Sequence, residues 1–179
     1  HQGIWEKSAT ASYEVRGKTL GIIGYGHIGS QVGLLAESLG MNIMYYDIED
    51  KLRLGNANPS TSLEKLLPQA DVLTMHVPST PTTRGMIGET EIAMMKNSAC
   101  IINASRGDVM DVDSLAKALK NKNLAGAAVD VFPAEPASNK EEFTSPLQNI
   151  DNVILTPHIG GSTKEAQKNI ALEVAERMI

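Results

Sequence analysis

The sequence predicts a doubly wound α/β fold, in which a parallel sheet carries helices on both faces. Three observations predict it. Gly24-Tyr25-Gly26-His27-Ile28-Gly29 stands between an apolar run and a segment of helical periodicity, the strand–turn–helix context that a G-x-G-x-x-G pattern requires. An acid, Asp47, ends the next apolar run, eighteen residues beyond Gly29. Short apolar runs, six in all, alternate with helical segments along the chain.

Each element has a local reason. Thr19 to Ile23 is apolar throughout and reads as a buried strand. Val32, Leu35, Ala36 and Leu39 keep helical spacing and predict a helix over 31–39, and Asn42 to Asp47 is the second strand. Residues 48–60, with Gly55 and Asn58-Pro59, read as a loop. Thr61 or Ser62 caps a short helix that Pro68 ends. Asp71 to His76 is the third strand, followed by a loop with Pro78, Pro81 and Gly85 and a short helix over 90–95. Ala99 to Asn103 is the fourth strand, Asp113 caps a helix through Leu119, and Gly126 to Val131 is the fifth strand. Prolines 133, 136 and 146 make 133–147 a loop before the sixth strand, Val153 to Thr156. Ser162-Thr163-Lys164-Glu165 is a capping-box sequence, and Ala166, Ile170, Val174 and Met178 extend a last helix to the end of the chain. Residues 1–18 are the least regular; Ile4 to Lys7 suggest the end of a helix. Six strands with the glycine turn on the first make this a Rossmann-type, three-layer αβα sheet with expected order 3-2-1-4-5-6.

Length and composition bound the function. The chain has 179 residues and 42% hydrophobic content, which suits one domain with one core. Net charge is −5 with no basic block, so neither nucleic acid nor an anionic membrane is an expected partner. No apolar run is long enough to span a bilayer. The opening His1-Gln2-Gly3-Ile4-Trp5 has neither an initiator Met nor the form of a secretion signal, so the chain is expected to be a piece of a longer one. The single Cys100 cannot form an internal disulfide; a buried, inert thiol and a cytoplasmic setting fit it. No metal site is expected.

In such a sheet ligands sit beyond the carboxyl ends of the strands. The glycine turn and the following helix N-terminus suit a pyrophosphate, with Gly24 for the tight turn, Gly26 for close approach and Gly29 for helix–sheet packing. His27 lies close enough to favour phosphate, and Asp47 suits the hydroxyls of an adenine ribose. Other polar residues fall just past strand ends: His76, Arg106, Glu135 and His158, with Asp130 near the end of its strand. Arg106 suits a planar carboxylate because two N–H donors match two oxygens. His158 suits proton transfer, and Glu135 suits the far ring nitrogen, where it fixes the tautomer. Asp130, inside an apolar run, needs a partner; a nicotinamide amide is one. The ordinary structural accounts are a surface arginine, a histidine in a rigid turn and a solvated loop carboxylate.

Taken together, the glycine turn, Asp47, Asn103-Ala104-Ser105-Arg106-Gly107, Val129-Asp130-Val131-Phe132-Pro133-Ala134-Glu135-Pro136 and Thr156-Pro157-His158-Ile159-Gly160-Gly161 resemble the D-isomer-specific 2-hydroxyacid dehydrogenases. Ala36 to Met41 and Phe143-Thr144-Ser145-Pro146-Leu147 resemble the branch that oxidises 3-phosphoglycerate to 3-phosphooxypyruvate in serine biosynthesis. The resemblance implies an NAD-binding domain over residues 1–179, with a separate substrate-binding domain and, in that branch, a C-terminal regulatory ACT domain that binds serine, both outside this sequence. It implies that Arg106 holds the substrate carboxylate, His158 is the acid–base residue and Glu135 supports it. It also implies that His27 and Ile28 meet the pyrophosphate and Asp47 the ribose. Ala104, Ser105, Arg106, Asp130, His158, Ile159, Gly160 and Gly161 would surround the nicotinamide end. The intact protein is expected to be a homo-oligomer. The alternatives are a related dehydrogenase acting on glycerate, lactate or a similar acid, and a non-catalytic NAD-sensing scaffold like the corepressors that share these motifs.

Overall fold

A parallel sheet organises the chain, and its central strand is the one that enters the glycine turn. The computed structural model describes residues 3, 5, 7–10, 12–138 and 140–178. β1 (Thr19–Ile23) is buried along nearly its whole length, so it shows no polar alternation. It pairs in parallel with β2 (Asn42–Tyr46) on one side and with β4 (Val72–Met75) on the other. β3 (Asn58–Pro59) lies outside β2, while β5 (Cys100–Asn103), β6 (Gly126–Val129) and β7 (Val153–Leu155) continue beyond β4, all parallel. The order is β3-β2-β1-β4-β5-β6-β7.

The expected order 3-2-1-4-5-6 is therefore present, with a seventh strand added. What differs is the segment that stands third. Asn58-Pro59 lies in the stretch read as a loop, and the run around Val72 becomes the fourth strand, beside β1. The missed strand is two exposed residues at the sheet edge, where a proline is tolerated, and it carries no apolar signal.

The right-handed crossover rule decides which face each helix covers. The step from β1 to β2 runs toward one edge and puts α1 (His27–Ser38) on one face, over a cluster of Leu20, Ile22, Ala36, Ile43 and Tyr45. The steps from β3 to β6 run toward the other edge. They put α2 (Leu63–Leu66), α3 (Glu89–Ala93) and α4 (Val112–Lys120) on the opposite face, over Ile23, Leu73, Met75, Ile101 and Val129. The connections from β2 to β3 and from β6 to β7 carry no helix, as the proline- and glycine-rich stretches predicted.

Helix starts differ in detail from expectation. α1 begins at His27 rather than Gln31, because Gly26 serves as its N-cap and Gly29 lies inside the first turn. α4 is capped by Asp111, whose carboxylate accepts the N–H groups of Asp113 and Ser114, so Asp113 is a first-turn residue rather than the cap. In α5 (Lys164–Arg177) the cap is Thr163, whose hydroxyl accepts the Ala166 N–H at 3.1 Å. Ser162 closes a 3-10 turn, Gly160–Ser162, and the expected capping box does not form. α5 buries none of its residues. The helix end expected at Ile4 to Lys7 falls partly on residues 4 and 6, outside the described ones. Cys100 is half-buried, and burial pushes its thiol up, in keeping with an inert side chain. Among the described residues no helix is long and apolar enough to cross a membrane.

The amino edge of the sheet is tied by one carboxylate. Asp71 Oδ2 accepts the Thr19 N–H at 2.8 Å, and Oδ1 accepts Lys96 Nζ at 2.8 Å. Burial pushes this carboxyl up, but the Lys96 and Thr19 hydrogen bonds and the charges of Lys96 and Lys18 outweigh it and hold it below its usual range. Asp71→Ala is expected to cost about 1.5–3 kcal/mol, the range for hydrogen bonds to a charged group, measured by urea unfolding at pH 7. Because the folded carboxyl is the more acidic one, this contribution is full above the unfolded value of about 3.9 and fades as pH falls through the folded value.

Candidate active site

At the carboxyl end of β1 the glycines are fixed by contact. Gly24 has φ +87°, and a Cβ there would lie 2.5 Å from the His76 carbonyl oxygen. A Cβ on Gly29 would lie 2.0 Å from the Gly24 carbonyl oxygen, so the first turn of α1 rests directly on the tight turn. Gly26 differs: a Cβ there would meet nothing within 4 Å, and its backbone is open to a ligand. The first three N–H groups of α1, on His27, Ile28 and Gly29, precede the first helical bond, from Ser30 to Gly26. The first turn carries no acid to compete for them, and His27 and Ile28 are exposed. This is the donor set an anion needs at a helix N-terminus.

Asp47, one residue past β2, is tied to the same turn. Its Oδ2 accepts the Tyr25 N–H at 2.7 Å and its Oδ1 the Glu49 N–H at 3.0 Å. Tyr25 is itself stacked on Tyr45, ring centroids 3.9 Å apart. An ionised carboxylate has about four acceptor positions, so Asp47 keeps capacity for the hydroxyls of a ribose.

At the end of β5 one buried amide shapes the chain. Asn103 Oδ1 accepts the Ser105 N–H at 3.1 Å and the Ser105 hydroxyl at 2.9 Å, while Asn103 Nδ2 donates to the Arg106 carbonyl at 3.0 Å. Ser105 is thereby turned inward and buried, and Ala104 and Arg106 face out. Arg106 Nη1 donates to the Ser105 carbonyl at 2.6 Å, and no carboxylate of the described residues pairs with it. Gly107 closes the seam to the next strand end: a Cβ on it would lie 2.1 Å from the Phe132 carbonyl carbon.

At the ends of β6 and β7, two carboxylates hold one histidine. Asp130, one residue past β6, accepts the Thr156 hydroxyl and, at 3.2 Å, the His158 N–H on the same oxygen, Oδ1. His158 Nδ1 lies 2.9 and 3.1 Å from the two Glu135 oxygens, and Glu135 Oε1 also accepts the Phe132 N–H at 3.0 Å. Burial pushes the Glu135 carboxyl up, but the hydrogen bonds from His158 and Phe132 outweigh it and hold it below its usual range. His158 has φ +50°, a left-handed conformation that costs a non-glycine residue about 1–3 kcal/mol unless its surroundings enforce it. An apolar cleft of about 380 Å³ opens beside the pair, walled by Phe132, Phe143, Leu155 and Pro157.

The family whose description is the NAD binding domain of the D-isomer specific 2-hydroxyacid dehydrogenases matches residues 1–160. The chain belongs to this family. It is 61% identical over 179 residues to a D-3-phosphoglycerate dehydrogenase of Haemophilus influenzae and 60% identical to one of Escherichia coli K12. Each alignment covers 100% of this chain and 44% of the relative, so the chain spans less than half the length of these curated relatives. A D-lactate dehydrogenase from Aquifex aeolicus, solved with NAD and lactic acid, superposes with a TM-score of 0.85 at 32% identity, covering 97% of this chain and 56% of that one.

In this chain the residues singled out from the sequence gather at one edge. Gly24, Gly26, Gly29 and Asp47 form one group, and Asp130, Glu135 and His158 another, with Ala104 to Arg106 on the strand end between them. Ile159, Gly160 and Gly161 follow His158 as exposed backbone. His76 ends β4 beside the glycine turn, its N–H donating to the Ile23 carbonyl and its ring against the Thr74 hydroxyl. Burial pushes its imidazole below the ordinary value. Sequence reasoning missed Thr156 and Gly107. Thr156 lay inside a quoted motif, but its hydroxyl gains meaning only when β7 is set beside β6. Gly107 gave no signal beyond its neighbourhood to Arg106. Gly107→Ala is expected to destabilise the domain by about 1–3 kcal/mol, as overpacking does, because backbone rather than a flexible side chain must yield. Chemical denaturation of the variant against the parent checks it.

Proposed function

We propose that the intact protein oxidises D-3-phosphoglycerate to 3-phosphooxypyruvate, using NAD, and that this chain holds the cofactor and the acid–base pair. The observation that carries the reading is the His158–Glu135 pair, 2.9 Å apart and next to a strand end that presents an arginine with no carboxylate partner among the described residues. Identity of about 60% to D-3-phosphoglycerate dehydrogenases supports the choice of substrate. Gly24, Gly26, Gly29, His27 and Ile28 would hold the pyrophosphate, and Asp47 the ribose. Ala104 to Arg106, Asp130 and His158 to Gly161 would surround the nicotinamide. When bound, NAD supplies the hydride acceptor.

The chain's own residues do the rest. Arg106 takes the substrate carboxylate through charge-assisted hydrogen bonds. With Nδ1–H donating to Glu135, the neutral imidazole of His158 presents Nε2 as an acceptor for the hydroxyl proton. Glu135 then stabilises the imidazolium that results. Since the Glu135 carboxyl is held below its usual range, Glu135 is ionised at neutral pH, and this acceptor is lost only as pH falls through that lowered value. We place the intact enzyme in the cytoplasm as a homo-oligomer acting on a small molecule; a net charge of −5 without a basic block supports a partner set free of nucleic acid and membrane.

Two measurements test this reading. The chain is expected to bind NAD more tightly than NADP, since Asp47 would repel a 2′-phosphate, and Asp47→Ala should weaken NAD and narrow the gap. Equal or tighter NADP binding in calorimetry contradicts the cradle. In the full-length protein, NADH formation from 3-phosphoglycerate should exceed that from D-glycerate and D-lactate. There, His158→Ala should lower kcat by roughly 10²–10⁴-fold. Arg106→Ala should mainly raise KM, by the equivalent of about 1.5–3 kcal/mol. Glu135→Gln should lower kcat and shift the pH profile toward a less basic histidine. Parental turnover in His158→Ala removes the acid–base assignment.

A further inference from the structure

Between β4 and α3 runs a loop, residues 76–88, that the proposed chemistry does not use. It is fastened to the segment that follows Arg106. Ser79 Oγ donates to Asp108 Oδ2 at 2.6 Å, and Arg84 Nε donates to the same oxygen at 3.1 Å and lies 3.3 Å from Ser79 Oγ. The three side chains close a triangle. Main-chain bonds run beside it: Gly85 N–H to the Asp108 carbonyl at 2.8 Å, Ile87 N–H to the Val109 carbonyl at 3.2 Å, and Asp111 N–H to the Ile87 carbonyl at 2.9 Å. Ile87, Val109 and Met110 are buried beneath this seam.

Arg106 stands immediately before the 3-10 turn Gly107–Val109, which contains Asp108. The turn's own bond, Val109 N–H to the Arg106 carbonyl, is long at 3.4 Å, and so short a 3-10 turn has little stiffness of its own. Its shape is therefore set by what holds its two ends. On the strand side these are Asn103 and the contact of Gly107 with Phe132. On the other side these are the main-chain bonds to Gly85 and Ile87 and, from a side chain, the Asp108 carboxylate. The Arg84 and Asp108 side chains are 64% and 38% exposed, and a pair so wet adds little to stability.

We propose that Ser79, Arg84 and Asp108 form a positioning clamp that sets the direction of Arg106 toward the substrate carboxylate. The inference rests on the proposed role of Arg106. The clamp holds backbone, so its loss widens the range over which the guanidinium points and weakens capture of the acid. The cofactor cradle at β1 and β2 lies outside it, as does the His158–Glu135 pair.

The test uses the full-length protein with NAD and 3-phosphoglycerate. Asp108→Ala should raise KM for the acid roughly 3–10-fold with kcat within about twofold, the pattern of lost uniform binding. NAD affinity and the urea midpoint should stay near parental. Asp108→Asn, which keeps an oxygen acceptor, should recover part of the loss. Adding Arg84→Ala to Asp108→Ala should change little, because both act through one contact. Unchanged KM in Asp108→Ala, or a joint fall in KM performance, NAD affinity and stability, overturns the clamp. Arg106→Ala is the control. If it raises KM while Asp108→Ala does not, the clamp alone fails; if it leaves KM unchanged, the role of Arg106 fails and the clamp with it.

Discussion

Parallel pairing is the constraint on which everything else depends. Each strand must be followed by a connection that carries the chain back to the opposite edge, so all seven strands end on the same side. Residues as far apart in sequence as Gly24 and His158 are therefore delivered to one edge without any contact between them having to arrange it. The two edges divide the labour. The amino edge holds Asp71 between the Thr19 N–H and Lys96, a fastening of one strand end to another. The carboxyl edge holds an open helix N-terminus, an arginine that no carboxylate of the described residues pairs, and a histidine on a carboxylate.

Within that edge the spacing is fixed by backbone against backbone. The turn of α1 rests on the Gly24 carbonyl, and Gly107 rests on the Phe132 carbonyl. A side chain of any size at either glycine would have to displace main chain, which is why these seams are stiffer than the polar contacts around them. The polar contacts then refine direction. Asn103 turns Ser105 in and Arg106 out, and Asp47 binds the second strand's end to the first through the Tyr25 N–H.

The fold was legible because its signals are local. Buried runs such as Ile22-Ile23, the glycine turn, and prolines in the long connections each state their own structure within a few residues. The edge strand Asn58-Pro59 was not legible, since two exposed residues, one of them a proline, carry no periodicity. The cap of α4 was misplaced because Asp111 and Asp113 are both acceptable caps, and only the turn geometry selects the first. The candidate site residues were picked out by residue type and by position after a strand. Their connections were not: Thr156 reaches Asp130 across 26 residues and Ser79 reaches Asp108 across 29, and neither pairing shows until the sheet sets the segments side by side.

The histidine shows why two carboxylates are needed where one would seem enough. His158 and Glu135 are 45% and 37% exposed, so water competes for their hydrogen bond, which cannot by itself hold a strained residue in place. The left-handed backbone at His158 is instead secured by Asp130, which grips its N–H and is itself gripped by Thr156. Glu135 is kept from swinging by the Phe132 N–H, a main-chain donor two residues beyond Asp130. On the proposed reading the ring contact acts on chemistry rather than on folding: it would select the tautomer, and it would gain strength in any state that shuts out water, because the same 2.9 Å separation is worth more at lower dielectric. A contact that adds little to stability while exposed would thus add more wherever water is excluded from it.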